Sequence, residues 1–206
     1  MGFPNKKYPD IEQFSKDYFL GIAAASAAIS PEALDLAASI LGDLYTRGST
    51  LYVCGNGGSA TISDSFVCDH TKLIATGTRI VPRVVSLSSN VAMLSAIAND
   101  ISYDDVFSYQ LGALARPRDA LLVVSASGNS ENVVRAAKLA RERAMDVIAI
   151  TGFSGGRVAE FATCHIHVPA DNYGVVEDIC QSLMHILAQF IRQSLMEPEA
   201  IRAVKF

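Results

Sequence analysis

Residues 51–72, LYVCGNGGSATISDSFVCDHTK, and residues 121–143, LLVVSASGNSENVVRAAKLARER, decide the fold. Each begins as a short β-favouring apolar run, passes through a loop of Gly, Asn and Ser, and continues into a helical pattern. Strand, small-residue loop, helix is the signature of a βαβ unit and hence of a parallel sheet. Further β-rich runs at Arg83 to Leu87, Asp146 to Thr151 and Cys164 to Val168 bring the expected strands to five, and a long helix closes the pattern from about Val175 to Leu195. Upstream, Ile11 to Ile29 and Pro31 to Thr46 are two Ala-rich helices, with Ser30 placed to cap the second and Gly48 to stop it. The expectation is an α/β fold with helices on both faces of a five-stranded parallel sheet. No Pro/Gly/Ser-rich linker divides the chain, so one compact domain is expected: residues 1–48 as helices suited to packing or assembly, and residues 49–195 as the α/β unit.

Composition narrows the function. Half of the 206 residues are hydrophobic, too much apolar side chain for a disordered or low-complexity chain. Seventeen basic against 21 acidic residues give a net charge of −4, which argues against phosphate neutralisation along a nucleic acid, so any bound anion needs local donors. Cys54, Cys68, Cys164 and Cys180 lack CxxC spacing and lie in apolar or helical stretches, as expected of reduced, buried thiols. The start, MGFPNKKYPDIEQF, has no apolar core of a signal peptide, and no apolar run approaches the ~18 residues that span a bilayer, so a cytoplasmic protein without membrane attachment is expected.

In an open parallel sheet, ligands gather at the carboxyl ends of the strands, where helix N-termini present unpaired amides. The loop Gly55-Asn56-Gly57-Gly58-Ser59 lets main chain approach an anion. The loop Ser125-Ala126-Ser127-Gly128-Asn129-Ser130 adds three hydroxyls at a helix start and can ring a phosphate without Lys or Arg. Taken singly, either is an ordinary capped turn, and Thr151 to Gly156 is a third, weaker candidate with a plain turn as its alternative. Gly55, Gly57 and Ala60 satisfy a relaxed dinucleotide-binding spacing. No Asp or Glu occurs between Lys72 and Asp100 to hold a ribose, so no nucleotide cofactor is expected. Glu177, Gln181 and His185 recur every four residues on the last helix and share one face, as do Ser65 and Asp69 on the helix after the first loop. Asn99 and Asp100 either add polar groups to a cleft or cap a helix. His70, beside Lys72, is expected in solvent, and His165 and His167 have structural roles on one face of a strand.

CGNGGSA at 54–60, AIAND at 96–100, SASGNSENV at 125–133, AITGFSGG at 149–156 and HIL at 185–187 together resemble the sugar isomerase (SIS) domain family, specifically its phosphoheptose isomerase group. That resemblance, covering about residues 50–190, implies a flavodoxin-like three-layer fold, a homotetramer with sites shared between subunits, and sedoheptulose 7-phosphate as substrate. It implies phosphate binding by Ser125, Ala126, Ser127 and Ser130, with Asn56, Gly57, Gly58, Ser59, Asn99 and Asp100 along the sugar. It also implies a Glu and a His that exchange protons through an enediol, and a zinc ion that can sit among His, Glu, Gln and His. This chain keeps only His185 of those four, carrying Ser65, Asp69 and Glu177 at the others, with Ala126 where the family has Thr. Asp69 and His185 are thus the expected acid/base pair, Glu177 a second carboxylate, and Asp69, Glu177 and His185 the remaining candidate zinc ligands. The alternative is a non-catalytic SIS-domain protein that binds phosphosugars or regulates.

Overall fold

The computed structural model describes residues 3–206; Met1 and Gly2, at the head of the amino-terminal segment quoted above, lie outside the described residues. Helix α1 (Ile11–Ala27) starts at an Asp10 cap and α2 (Pro31–Thr46) at Ser30, whose hydroxyl accepts from the Ala33 amide (3.1 Å) with Pro31 in the first turn, as the sequence predicts. The strands follow as β1 (Thr50–Cys54), β2 (Arg83–Ser86), β3 (Ala120–Ser125), β4 (Asp146–Thr151) and β5 (Cys164–His167). Between them lie α3 (Gly58–Cys68), α4 (Val91–Asp100), α5 (Val106–Leu114) and α6 (Glu131–Glu142), and the chain closes with α7 (Tyr173–Ser194) and α8 (Pro198–Ala203). Sequence reading gave no α8.

All pairings are parallel, in the order β2-β1-β3-β4-β5, the flavodoxin-like arrangement. The central strand β3 is buried along its whole length, and its residues alternate between two cores. Ala120, Leu122 and Val124 join α1, α2, α3 and α7 on one face, while Leu121 and Val123 join α4, α5 and α6 on the other. Burial on both faces explains why β3 and β4 read as unbroken apolar runs rather than as alternating ones. The amino-terminal helices share the first core, through Ala25, Ala37, Leu41 and Leu44.

Cys54, Cys164 and Cys180 are buried as expected, and burial pushes their thiols up, Cys164 to about 11 and Cys180 to about 12. Cys68 departs from expectation: it is exposed at the end of α3. Among the described residues, no single helix is long and apolar enough to cross a membrane.

Candidate active site

The two small-residue loops meet at the carboxyl edge of β1 and β3. In the first, Gly55 must be glycine, because a Cβ there would lie 2.7 Å from both Ser59 Cβ and the Val124 carbonyl oxygen; Gly57 takes a positive φ of 54°. Ser88, just beyond β2, fixes the loop by accepting from the Gly55 amide (3.1 Å) and donating to the Gly55 carbonyl (2.8 Å). Asn56 pairs amide to amide with Asn132 of α6 (2.9 and 3.0 Å) and takes a third bond from the Tyr103 hydroxyl (2.9 Å).

In the second loop, Ser125 Oγ accepts from the Gly128 amide (3.2 Å) and Ser127 Oγ from the Asn129 amide (3.3 Å). Both hydroxyls act there as acceptors, which leaves their protons to give. Ser130 occupies the N-cap of α6 without a capping bond from its side chain, so its hydroxyl is also free to turn into the cleft. The Thr151–Gly156 turn buttresses this loop from behind. The Gly152 amide donates to the Ala126 carbonyl (2.8 Å) and the Val158 amide to Gly128 (3.0 Å), while a Cβ on Gly128 would collide with the Gly155 carbonyl.

Asn56, Ser59, Ser125, Ala126, Ser127 and Ser130 thereby line one cleft of about 140 Å³, joined by Glu177 and Tyr173 from the start of α7. Glu177 reaches across to Gly58, where a Cβ would meet its carboxylate at 2.5–2.7 Å. The cleft thus holds the amino ends of α3 and α6, the hydroxyl-bearing residues Ser59, Ser125, Ser127, Ser130 and Tyr173, and one carboxylate. Asn99 and Asp100 instead end α4 exposed, the Asn99 amide donating to its neighbour's carboxylate (2.7 Å), and neither lines the cleft.

Asp69 and His185 form a second centre. His185 Nδ1 lies 2.8 Å from Asp69 Oδ2, and Gln181 Nε2 lies 3.3 Å from His185 Nε2. The carboxylate accepts, so Nδ1 carries the hydrogen, and Nε2 is the bare nitrogen that accepts from the Gln181 amide. The imidazole side chain is 47% exposed and the carboxylate 25%, on the outer face of α7. Ser65 spends its hydroxyl on the Thr61 carbonyl (3.1 Å).

The polar stripe Glu177–Gln181–His185 does share one face, yet its ends are eight residues apart, about 12 Å along a helix. Glu177 belongs to the serine cleft and His185 to the Asp69 centre. The expected trio Asp69, Glu177 and His185 therefore does not converge within one chain, and among the described residues no group of three His, Cys, Asp or Glu is placed to hold a metal ion. One oxygen and one nitrogen donor, already bonded to each other, do not make a zinc site in a single chain.

His70 corrects the sequence reading outright. It is fully buried, with Tyr45 donating its hydroxyl to Nδ1 (2.7 Å) and Nε2 lying 3.3 Å from the Met184 carbonyl, and burial lowers its pKa to about 4. His165 and His167 have the structural roles expected, bonded to Thr151 Oγ1 (2.7 Å) and the Phe153 carbonyl (2.8 Å). Ser88, Tyr103, Asn132 and Tyr173 were not found from sequence. Asn132 alone carried a signal, as part of the SASGNSENV motif.

A family model described as SIS domain matches residues 17–152. The chain is 37% identical over 185 residues to the phosphoheptose isomerase of Mycobacterium bovis (strain BCG / Pasteur 1173P2), covering 86% of this chain and 92% of that one. It is 35% identical over 190 residues to the phosphoheptose isomerase of Alteromonas mediterranea, covering 90% and 96%. The solved structure of the Neisseria gonorrhoeae phosphoheptose isomerase superposes with a TM-score of 0.81 at 30% identity, over 89% of this chain and all of that one. With the flavodoxin-like sheet and both glycine–serine loops in place, the chain belongs to the SIS domain family, in its phosphoheptose isomerase group.

Proposed function

We propose that this protein is a ketose–aldose isomerase that converts sedoheptulose 7-phosphate into an aldoheptose 7-phosphate in the cytoplasm, working as a homotetramer with active sites shared between subunits. The observation that carries the reading is the serine cleft, where four serines and the amino ends of α3 and α6 converge without a cationic side chain. Donors of this kind bind a phosphate dianion through charge-assisted hydrogen bonds and helix-end dipoles. Names of relatives at 35–37% identity point the same way.

Ketose-to-aldose conversion removes a proton from C1, next to the C2 carbonyl, and returns one to C2, while a hydroxyl proton moves from O1 to O2. Asp69 and His185 suit that exchange. His185 Nε2, which gives up its bond from the Gln181 amide to do so, and the second Asp69 oxygen are the proton-accepting atoms, and the Nδ1–carboxylate bond lets the imidazole gain a proton beside a negative charge. Glu177, at the cleft, orients sugar hydroxyls by accepting their hydrogen bonds.

Distances along the helices support sharing between subunits. Along α3, Asp69 stands eleven residues beyond Gly58, about 16 Å of helix, so a phosphosugar in one chain's serine cleft is out of reach of that chain's own pair. The α7 stripe is also flanked by exposed apolar residues, Ile186 (52%) and Phe190 (50%), with Phe19 (66%) and Leu20 (67%) on α1. Such a patch favours burial against further copies, with the amino-terminal helices in the assembly. Incubating the purified protein with sedoheptulose 7-phosphate, with and without zinc, tests the activity, and absence of an aldose product in both refutes it. Co-assembly of Ser127→Ala with His185→Gln chains tests the sharing: mixed tetramers regain turnover that neither variant has alone, and no recovery contradicts it.

A further inference from the structure

We propose that His70 is a positioning residue, locking Asp69 onto His185 by tying the segment that carries the carboxylate to the main chain of α7. The inference rests on the isomerase reading for its kinetic consequence and on geometry for the rest.

After Cys68 the chain does not leave α3 but continues as a π-helical turn, Asp69–Leu73. Such turns carry one residue more than an α-turn and re-aim side chains, often at functional sites. Here the turn sends His70 inward, against the Phe66 ring (4.8 Å between centroids) and the edge of Tyr45 (5.9 Å), while Asp69 stays at the surface. The protonation of His70 follows from its partners. The Met184 carbonyl can only accept, so Nε2 carries the hydrogen, and Nδ1 is the bare nitrogen that takes the Tyr45 hydroxyl.

The consequence is a double tie between consecutive residues. Asp69 bonds His185, and His70 bonds Met184, the residue before it. Tyr45 of α2 holds the far side of the ring, so three helices fix the place of the carboxylate. Among the described residues Asp69 has no side-chain partner except His185, so its position is otherwise set only by its own main chain. A leucine at 70 would fill much the same volume but make neither bond. Proton transfer is sensitive to displacements of about 1 Å, which can change rates up to ~100-fold.

The test is a kinetic cycle on the full-length protein, with His70→Leu, His70→Gln, Asp69→Asn and the Asp69→Asn/His70→Leu double variant, assayed well below each melting temperature. His70→Leu is expected to lower kcat about tenfold or more with KM little changed. Glutamine, which can still donate to Met184, restores most of that loss. Against Asp69→Asn, the leucine substitution costs no further activity, because the carboxylate it acts through is already gone. An unchanged kcat in His70→Leu, or the same proportional loss in both backgrounds, overturns the proposal.

A readout without turnover separates this inference from the isomerase reading. The His185 Nδ1 proton, held by Asp69, gives a low-field proton NMR resonance identified by its disappearance in His185→Gln. It is expected to persist in His70→Gln and to broaden or vanish in His70→Leu. If this pattern appears in a protein that converts no heptose phosphate, the positioning role stands and the isomerase reading fails. If the resonance is the same in His70→Leu as in the parent, the positioning role fails whatever the activity. Should His70→Leu not fold, Tyr45→Phe removes one of the two bonds that hold the His70 ring and is read by the same resonance, with an unchanged signal counting against the proposal.

Discussion

Replacing Glu177 by Gln should tighten phosphate binding, because Glu177 puts a negative charge at the mouth of a cleft otherwise built to hold an anion. Its carboxylate is in contact with Gly58 at the start of α3 and lines the same cleft as Ser125, Ser127 and Ser130. For a dianion among the serines taken at about 6 Å from it, two negative charges repelling one cost roughly 1.4 kcal/mol even with the full dielectric of water. That is about tenfold in Kd, a lower bound because the cleft is partly desolvated. Titration calorimetry with inorganic phosphate reads the effect without turnover. Glu177→Gln is expected to bind at least about tenfold more tightly than the parent at low salt, with the gap narrowing as ionic strength rises. Equal or weaker binding, or a gap indifferent to salt, would refute this placement of the carboxylate beside the phosphate.

Three further outcomes follow from other residues. Ser127→Ala should largely abolish the thermal stabilisation that phosphate or a phosphosugar confers, since a hydrogen bond to a charged group contributes about 1.5–3 kcal/mol, whereas Asp69→Asn should leave that shift intact. Gly128→Ala should destabilise by about 3 kcal/mol or more in chemical unfolding, because its φ of +64° is unfavourable for alanine and the new Cβ would collide with the Gly155 carbonyl. His70 should make the fold acid-sensitive. Its native pKa of about 4 lies below the unfolded value near 6.5, so its neutral form stabilises fully above pH 6.5, and the contribution fades as pH falls from 6.5 to about 4. The loss is on the order of 3 kcal/mol, read by urea unfolding across that range, and His70→Gln should flatten that part of the profile.

The strands were legible because β3 and β4 lie between two helical layers and so appear as apolar runs bounded by loop residues. The serine loop was legible as a strand-to-helix turn, and only the packing of β1 beside β3 brings it to one cleft with the glycine loop. His70 was not, because a π-turn breaks the 3.6-residue period on which facing is judged, and an adjacent lysine says nothing about the neighbouring side chain. Periodicity placed Glu177 and His185 correctly on one face but could not say that 12 Å of helix divides them into two centres. Ser88, Tyr103 and Asn132 act by holding Gly55 and Asn56 across the fold, contacts that exist only once β1, β2 and α6 are brought together.

The most direct measurement follows sedoheptulose 7-phosphate by NMR in deuterium oxide with the parent protein and with His185→Gln. The account predicts that the parent forms an aldoheptose 7-phosphate, or at least exchanges the C1 proton for solvent deuterium, and that His185→Gln does neither while still binding phosphate. A parent protein that binds the sugar phosphate yet neither converts it nor exchanges that proton would contradict it.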